Sequence, residues 1–396
     1  MERCNQERCA TPPSPQGAGA LCAALATVLL ALVHASAPAA RAEPPAACFP
    51  PGTLAARPGE RVPVKHTHVS DHSDVKRELA PLTPVPPELR GAVRRVALPP
   101  GRKLIALTFD LCEQPGEVSG YDGAIVDVLR ANRIKATLFV GGKWMASHPE
   151  RTRQLMTDPL FELANHAYAH RNLRLLSGAP LRQEIEAPQR IYEAQRETQM
   201  RAQCMPAGAN IAPRLTLFRF PYGACNSQAI EAVNAAGLVA VQWSLSTGDP
   251  SPATSARQIE AALLRARPGD IVIAHANGRG YHTAAALPAA IQKLRANGYE
   301  FATVSELIAA GRPLVEPICY DARPGDTDRY DRPLLRPLSR GAQGAGPKPA
   351  QPAAAGQAPA TGAAPTQNAT SRRGRPSGRA WQSSEGQWQM RILRGD

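Results

Sequence analysis

Past its first forty residues the chain has no run long and apolar enough to cross a bilayer as a helix, and the processed protein is expected to be soluble. A phosphate-binding loop is missing as well. Gly278 and Gly280 stand close together in Asn277-Gly278-Arg279-Gly280-Tyr281-His282-Thr283, but the lysine and flanking pattern of such a loop are absent. Residues 341–378 hold little besides Ala, Pro, Gly and Gln, too little apolar surface to offset the entropy of ordering, and are expected to be disordered. Negative charge is scarce at that end: from Arg336 onward nine basic residues face only Glu385 and Asp396, a net +7 out of the chain's formal +13. Basicity confined to a tail does not point to nucleic acid. In an exported protein it meets anionic envelope polymers or is simply solvated.

What is present at the start is an export signal. Arg3 and Arg8 precede an apolar run over 18–33, and Ala40-Arg41-Ala42 supplies the small residues that a signal peptidase reads. Cleavage after Ala42 is expected, with a periplasmic or secreted product. Cys4, Cys9 and Cys22 leave with residues 1–42, and Cys48, Cys112, Cys204, Cys225 and Cys319 remain in an oxidising compartment. Five is odd, so at least one thiol stays free. Spacing does not fix the pairing; Cys204 with Cys225 and Cys48 with Cys319 are the two arrangements that local position suggests. Cys112 reads as a small packed hydrophobe, not as a nucleophile.

Residues 43–100 are proline-rich with little periodicity and read as an extended, disordered arm, with His66, His68 and His72 as exposed polar groups. From 101 to 312 short apolar runs alternate with amphipathic stretches. Strands are predicted at 104–109, 136–140, 161–164, 217–219, 239–243, 271–274 and 300–303. Helices are predicted between them, at 123–132, 150–157, 181–197, 227–236, 255–266, 284–297 and 304–310. Strict alternation implies a parallel α/β sheet with right-handed crossovers, and at this length a closed or nearly closed barrel. Residues 313–396 read as a basic low-complexity tail.

The predicted strand ends carry Asp110, His166 and His170, Arg219, Asp249 and His275, which a barrel would gather at one mouth. Two imidazoles four residues apart suit one divalent ion, while a carboxylate and a further histidine suit a base and an acid. At these residues the chain resembles the polysaccharide deacetylases with a NodB homology domain, carbohydrate esterase family 4. Thr108-Phe109-Asp110 resembles the start of the family's TFDD motif, and Asn165-His166 through His170 resembles its HxxxH motif. Arg219-Phe220-Pro221-Tyr222-Gly223, the run from Trp243 to Asp249, and Ile273-Ala274-His275 are similar to the third, fourth and fifth motifs.

The resemblance implies a distorted (β/α)7 barrel. It also implies Asp110 as catalytic base, Arg219 orienting it, Tyr222 offering its backbone N–H to an oxyanion, Asp249 pairing with Arg219, and His275 as general acid. The metal, zinc or cobalt, would be held by His166 and His170. The family's third ligand falls on Leu111, which coordinates nothing; Glu113, in a bulging loop, is the expected substitute, with Asp110 or water as the alternatives. The implied function is secreted, metal-dependent hydrolysis of N-acetyl groups on an N-acetylglucosamine-containing polysaccharide: peptidoglycan, a chitooligosaccharide or an exopolysaccharide. A monomer is expected. The alternatives are a catalytically silent carbohydrate-binding barrel and a related amide hydrolase.

Overall fold

A computed structural model describes residues 48–331 apart from 66–71, 73–74, 203 and 205–210. The signal-like segment, His66, His68 and the basic tail lie outside the described residues.

Ten strands form one sheet, with helices between them. In chain order they are β1 (Ala92–Ala97), β2 (Leu104–Leu111), β3 (Ala136–Val140), β4 (Phe161–Asn165), β5 (Leu217–Phe218), β6 (Val239–Val241), β7 (Leu245–Ser246), β8 (Ile271–His275), β9 (Glu300–Phe301) and β10 (Arg312–Glu316). The spatial order is β10-β1-β6-β5-β4-β3-β2-β8-β7, with β9 paired to the start of β2. Every pairing is parallel except β10 on β1. This is the distorted barrel, and all seven predicted strands and helices are in it. β1 and the start of β8 approach closely at Gly269, which sits at φ 85 and where a Cβ would lie 1.8 Å from Val96 O. Val96 N–H in turn donates to Gly269 O at 2.9 Å, so this glycine is what lets β1 approach the start of β8.

Parity along β2 divides the core. Ile105, Leu107, Phe109 and Leu111 pack outward among the helices, where Ile125, Leu129 and Leu287 lie. Leu104 and Ala106 belong to the inner cluster with Phe139, Ala164, Val241 and Ile273. A strand covered on both faces is largely apolar, which is why β2 reads as a near-continuous run broken only by Thr108 and Asp110. Two of the helices that follow strands, Ala256–Leu263 and Val304–Ala309, begin with capping boxes, Ser255 with Gln258 and Thr303 with Glu306.

Three sequence expectations are corrected. The domain does not start at 101: β1, inside the supposed arm, is a buried inner strand flanked by β6 and β10. Its six residues follow a proline-rich stretch whose composition masks them. Nor does it stop at 312, since β10 pairs with β1, and Arg174 holds Asp328 and Asp331 at 3.1 and 2.7 Å. The disulfides are Cys48–Cys204 and Cys225–Cys319, with Cα separations of 5.0 and 5.2 Å, so both suggested pairings are replaced. Each bridge ties a segment outside the expected domain to one inside it.

Candidate active site

Parallel in-register pairing sets the site. Asp110 on β2 lies opposite His275 on β8 and opposite Phe139 on β3, all at the carboxyl ends of their strands. His166 directly follows β4, and Arg219 directly follows β5. Asp110 sits on the even, inward parity of β2 with Thr108, so its carboxylate enters the barrel mouth, where it is buried.

Arg219 is fully buried and organises the base. Its Nη1 donates to Asp110 Oδ1 at 2.8 Å and to Thr108 Oγ1 at 2.7 Å, while Nη2 donates to the Gln242 carbonyl at 3.3 Å. The guanidinium plane stacks 3.8 Å from the Phe139 ring centre, which removes water from its open face. Burial would push the Asp110 carboxyl up, but the basic groups around it, Arg219 and His275 among them, outweigh it and hold Asp110 below the usual carboxylate range. Asp110 is therefore ionised at neutral pH.

The expected partnership of Asp249 with Arg219 is not formed. Asp249, also fully buried, belongs to His275: Oδ1 lies 2.9 Å from His275 Nδ1, and Oδ2 accepts from the His275 backbone N–H at 2.8 Å and from Thr283 Oγ1 at 2.9 Å. The reason is topological. The segment carrying Asp249 follows β7, which pairs with β8, whereas β5, which leads to Arg219, is on the far side of β2. The result is two separate charge pairs on adjacent strands, Arg219 with Asp110 and Asp249 with His275. Burial disfavours the imidazolium of His275, yet Asp249, with Asp110 beyond it, outweighs that and raises its pKa.

His166 and His170 do come together, at 5.1 Å between ring centres, but not through helical spacing. Residues 166–170 form a loop with Ala167 and His170 in the left-handed region, φ 62 and 52. Asn165 and Glu184 fix it: Asn165 Oδ1 accepts from Ala167 N–H at 3.0 Å and Glu184 Oε2 from Ala169 N–H at 2.9 Å. Tyr222, itself at φ 62, packs edge-on to His170 at 4.5 Å and stacks on Tyr330 at 4.9 Å. Tyr330 lies in the segment expected to be tail.

Burial pushes both imidazoles down, so they are neutral. His166 Nδ1 donates to the Arg219 carbonyl at 2.9 Å, which places the lone pair on Nε2. That nitrogen is buried without a hydrogen bond and faces Asp110 Oδ2 at 3.3 Å, one acceptor against another. His170 Nδ1 is likewise buried and unpartnered. An orphaned acceptor facing a carboxylate, beside a second unpartnered imidazole nitrogen, is what a bound cation resolves, so the residues present fit a divalent metal.

Glu113 is not among them, which corrects the expectation. It lies in the loop after β2, and its carboxylate accepts from Ser119 N–H at 3.2 Å and Ser147 Oγ at 3.0 Å, with Lys143 Nζ 3.8 Å away. Burial raises its pKa to about 7. The residue that joins the histidines is Cys112, whose ligand atom and theirs all lie within 4.8 Å of one another. Its position was the available signal, two residues after Asp110 and just past the carboxyl end of β2. His282 is exposed and makes no side-chain cap, while Trp144 is buried and stacks on His148 at 4.7 Å, a packing role.

A family model described as polysaccharide deacetylase matches residues 97–241. A chitooligosaccharide deacetylase of Bradyrhizobium sp. is 31% identical over 175 residues, covering 44% of this chain and 71% of that protein. The chain belongs to the polysaccharide deacetylase family. It is also 30% identical over 205 residues to the peptidoglycan-N-acetylglucosamine deacetylase PgdA of Listeria monocytogenes, covering 52% of this chain and 39% of that one. A bifunctional xylanase/deacetylase of Pseudobutyrivibrio xylanivorans is 29% identical over 206 residues, 52% and 30% of the two chains. The chain thus spans well under half the length of these last two relatives. The stretch matched by the polysaccharide deacetylase model contains Asp110, His166, His170 and Arg219.

Proposed function

We propose that this protein is an exported, metal-dependent hydrolase that removes N-acetyl groups from N-acetylglucosamine units of a polysaccharide. The observation that carries the reading is the pair of independent charge couples at one mouth, Asp110 with Arg219 and His275 with Asp249, beside unpartnered imidazole nitrogens. One couple supplies an ionised base, the other an acid whose carboxylate partner favours its protonated form. Hydrolysis of an amide needs both at once.

In the reaction, Asp110 takes a proton from water as its oxygen attacks the acetyl carbonyl carbon. His275 gives a proton to the glucosamine nitrogen as the C–N bond breaks, leaving acetate and a free amine. Arg219 keeps the Asp110 carboxylate aimed and charged. Tyr222, in its left-handed turn, offers a backbone N–H to the developing oxyanion. A divalent ion, zinc or cobalt, held by His166 and His170 would polarise the carbonyl and the attacking water. The names of the relatives support a glycan substrate, with peptidoglycan, chitooligosaccharides and exopolysaccharides as the candidates.

A silent carbohydrate-binding barrel is the second reading, and the observation favouring it is Leu111, which packs into the outer core where the family has a ligand. Acetate release from a panel of these glycans, with and without chelator, separates the two. Chelator-sensitive release supports the enzyme, and no release from any acetylated glycan at full metal loading leaves the binder.

A further inference from the structure

Deepening the metal-dependent reading above, on which it rests, we propose that Cys112 is the metal's third protein ligand, bound as a thiolate. The site would then be a sulfur-containing one, not the all-oxygen-and-nitrogen centre that the family pattern implies.

Four observations converge on this. Cys112 directly follows Leu111, the last residue of β2, and is buried at the mouth two residues after Asp110, whereas Leu111 packs in the outer core and Glu113 is held by Ser119 and Ser147. Its ligand atom lies within 4.8 Å of those of His166 and His170, the sole group of this kind among the described residues. Both imidazoles keep a buried nitrogen without any hydrogen-bond partner. Finally, of the five cysteines beyond the signal-like segment, four are cross-linked and Cys112 alone is free, buried and out of reach of the others.

The surroundings suit a coordinated sulfur. Asn277 Nδ2 donates to Cys112 Sγ at 3.2 Å and to the Cys112 carbonyl at 2.9 Å, placing a hydrogen-bond donor on the sulfur, as the outer partners of a metal thiolate do. Asn277 is itself fully buried, in a loop that Asp122 fixes through the N–H groups of Gly278 and Gly280 at 2.8 and 3.2 Å. The proton balance is simple: binding an ion displaces the thiol proton to solvent, and the sulfur lone pair forms the new bond. A soft sulfur among imidazoles selects zinc or cobalt over magnesium or calcium.

The test uses the full mature chain, stripped with chelator and reloaded with Co²⁺. We expect a sulfur-to-cobalt charge-transfer band in the near ultraviolet and release of about one more proton on binding than in Cys112→Ser. Cys112→Ser should lose the band and weaken Co²⁺ affinity by at least tenfold to a hundredfold, about the scale set by losing even a supporting partner. Cys112→Asp should keep the ion without the band. A wild-type Co²⁺ form lacking the band, or Cys112→Ser with unchanged affinity and proton release, overturns the proposal. The wild-type spectrum alone decides the matter if a variant fails to fold. Acetate release measured on the same preparations keeps the two readings apart: chelator-sensitive release without the band sinks Cys112 as ligand and leaves the deacetylase standing.

Discussion

Asp249→Asn should convert a pH-tolerant acid into a poor one, and the structure says why. The Asp249 carboxylate is fully buried, and one oxygen accepts from two donors, the His275 backbone N–H at 2.8 Å and Thr283 Oγ1 at 2.9 Å. The backbone N–H cannot reverse its role, so the amide oxygen of asparagine must stay there. Its NH₂ group then faces His275 Nδ1, which the carboxylate meets at 2.9 Å. An imidazolium carries hydrogens on both nitrogens and would be opposed donor to donor; the neutral ring with its lone pair on Nδ1 is favoured instead. The variant therefore loses the main factor that raises the His275 pKa, while the burial that lowers it remains.

Turnover should fall by roughly a hundredfold to ten-thousandfold, about 3 to 5 kcal/mol in the barrier, the range for disabling a positioned acid or its orienting partner. The loss should be greater at pH 8 than at pH 6, because the alkaline limb of the rate profile moves down. The stability sign agrees: a raised histidine pKa contributes stability fully present below its ordinary value of 6.5 and lost as pH rises through the folded one. Steady-state rates from pH 5 to 9, with metal content as a folding control, make the measurement. An unmoved alkaline limb, or a loss equal at all pH values, would refute the assignment of Asp249 to His275.

Asp110→Asn should cost roughly a hundredfold to ten-thousandfold in turnover, and it should also weaken Co²⁺ binding in calorimetry, because Arg219 fixes the amide oxygen and turns the NH₂ onto His166 Nε2. Glu113→Gln should leave metal affinity unchanged. It should stabilise the fold above pH 7 by up to about 3 kcal/mol and by nothing below 4.5 in urea unfolding, since a carboxyl raised to about 7 loses stability as pH climbs between those values. Replacing Cys225 and Cys319 together by alanine removes a bridge spanning 94 residues and should cost about 2 to 5 kcal/mol by the same assay.

The seven alternating units were legible because parallel strands buried on both faces are continuous apolar runs, and the strand ends then located Asp110, His166, Arg219 and His275. Short strands in unfavourable company were not. Ala92–Ala97 hides behind prolines, and Arg312–Glu316 begins with a charge and a proline, a sequence that reads as a linker until an antiparallel edge pairing satisfies it. The partner of Asp249 was missed because carboxylate pairing depends on which strands are neighbours in space, and sequence order conceals that. Glu113 has the chemistry of a ligand, but the loop after β2 turns its carboxylate to Ser119 and Ser147 and leaves Cys112 beside the histidines, a loop conformation that residue types alone do not reveal.

The central claim is that one metal ion at the His166 and His170 pair makes this barrel a deacetylase. The most direct measurement titrates Zn²⁺ into chelator-stripped protein and follows acetate release from N-acetylglucosamine oligomers on the same sample. Release should rise with metal and level off near one ion per chain, and His166→Ala should show neither the binding nor the rise. Full release by the metal-free protein, or none with the ion bound, would contradict the account.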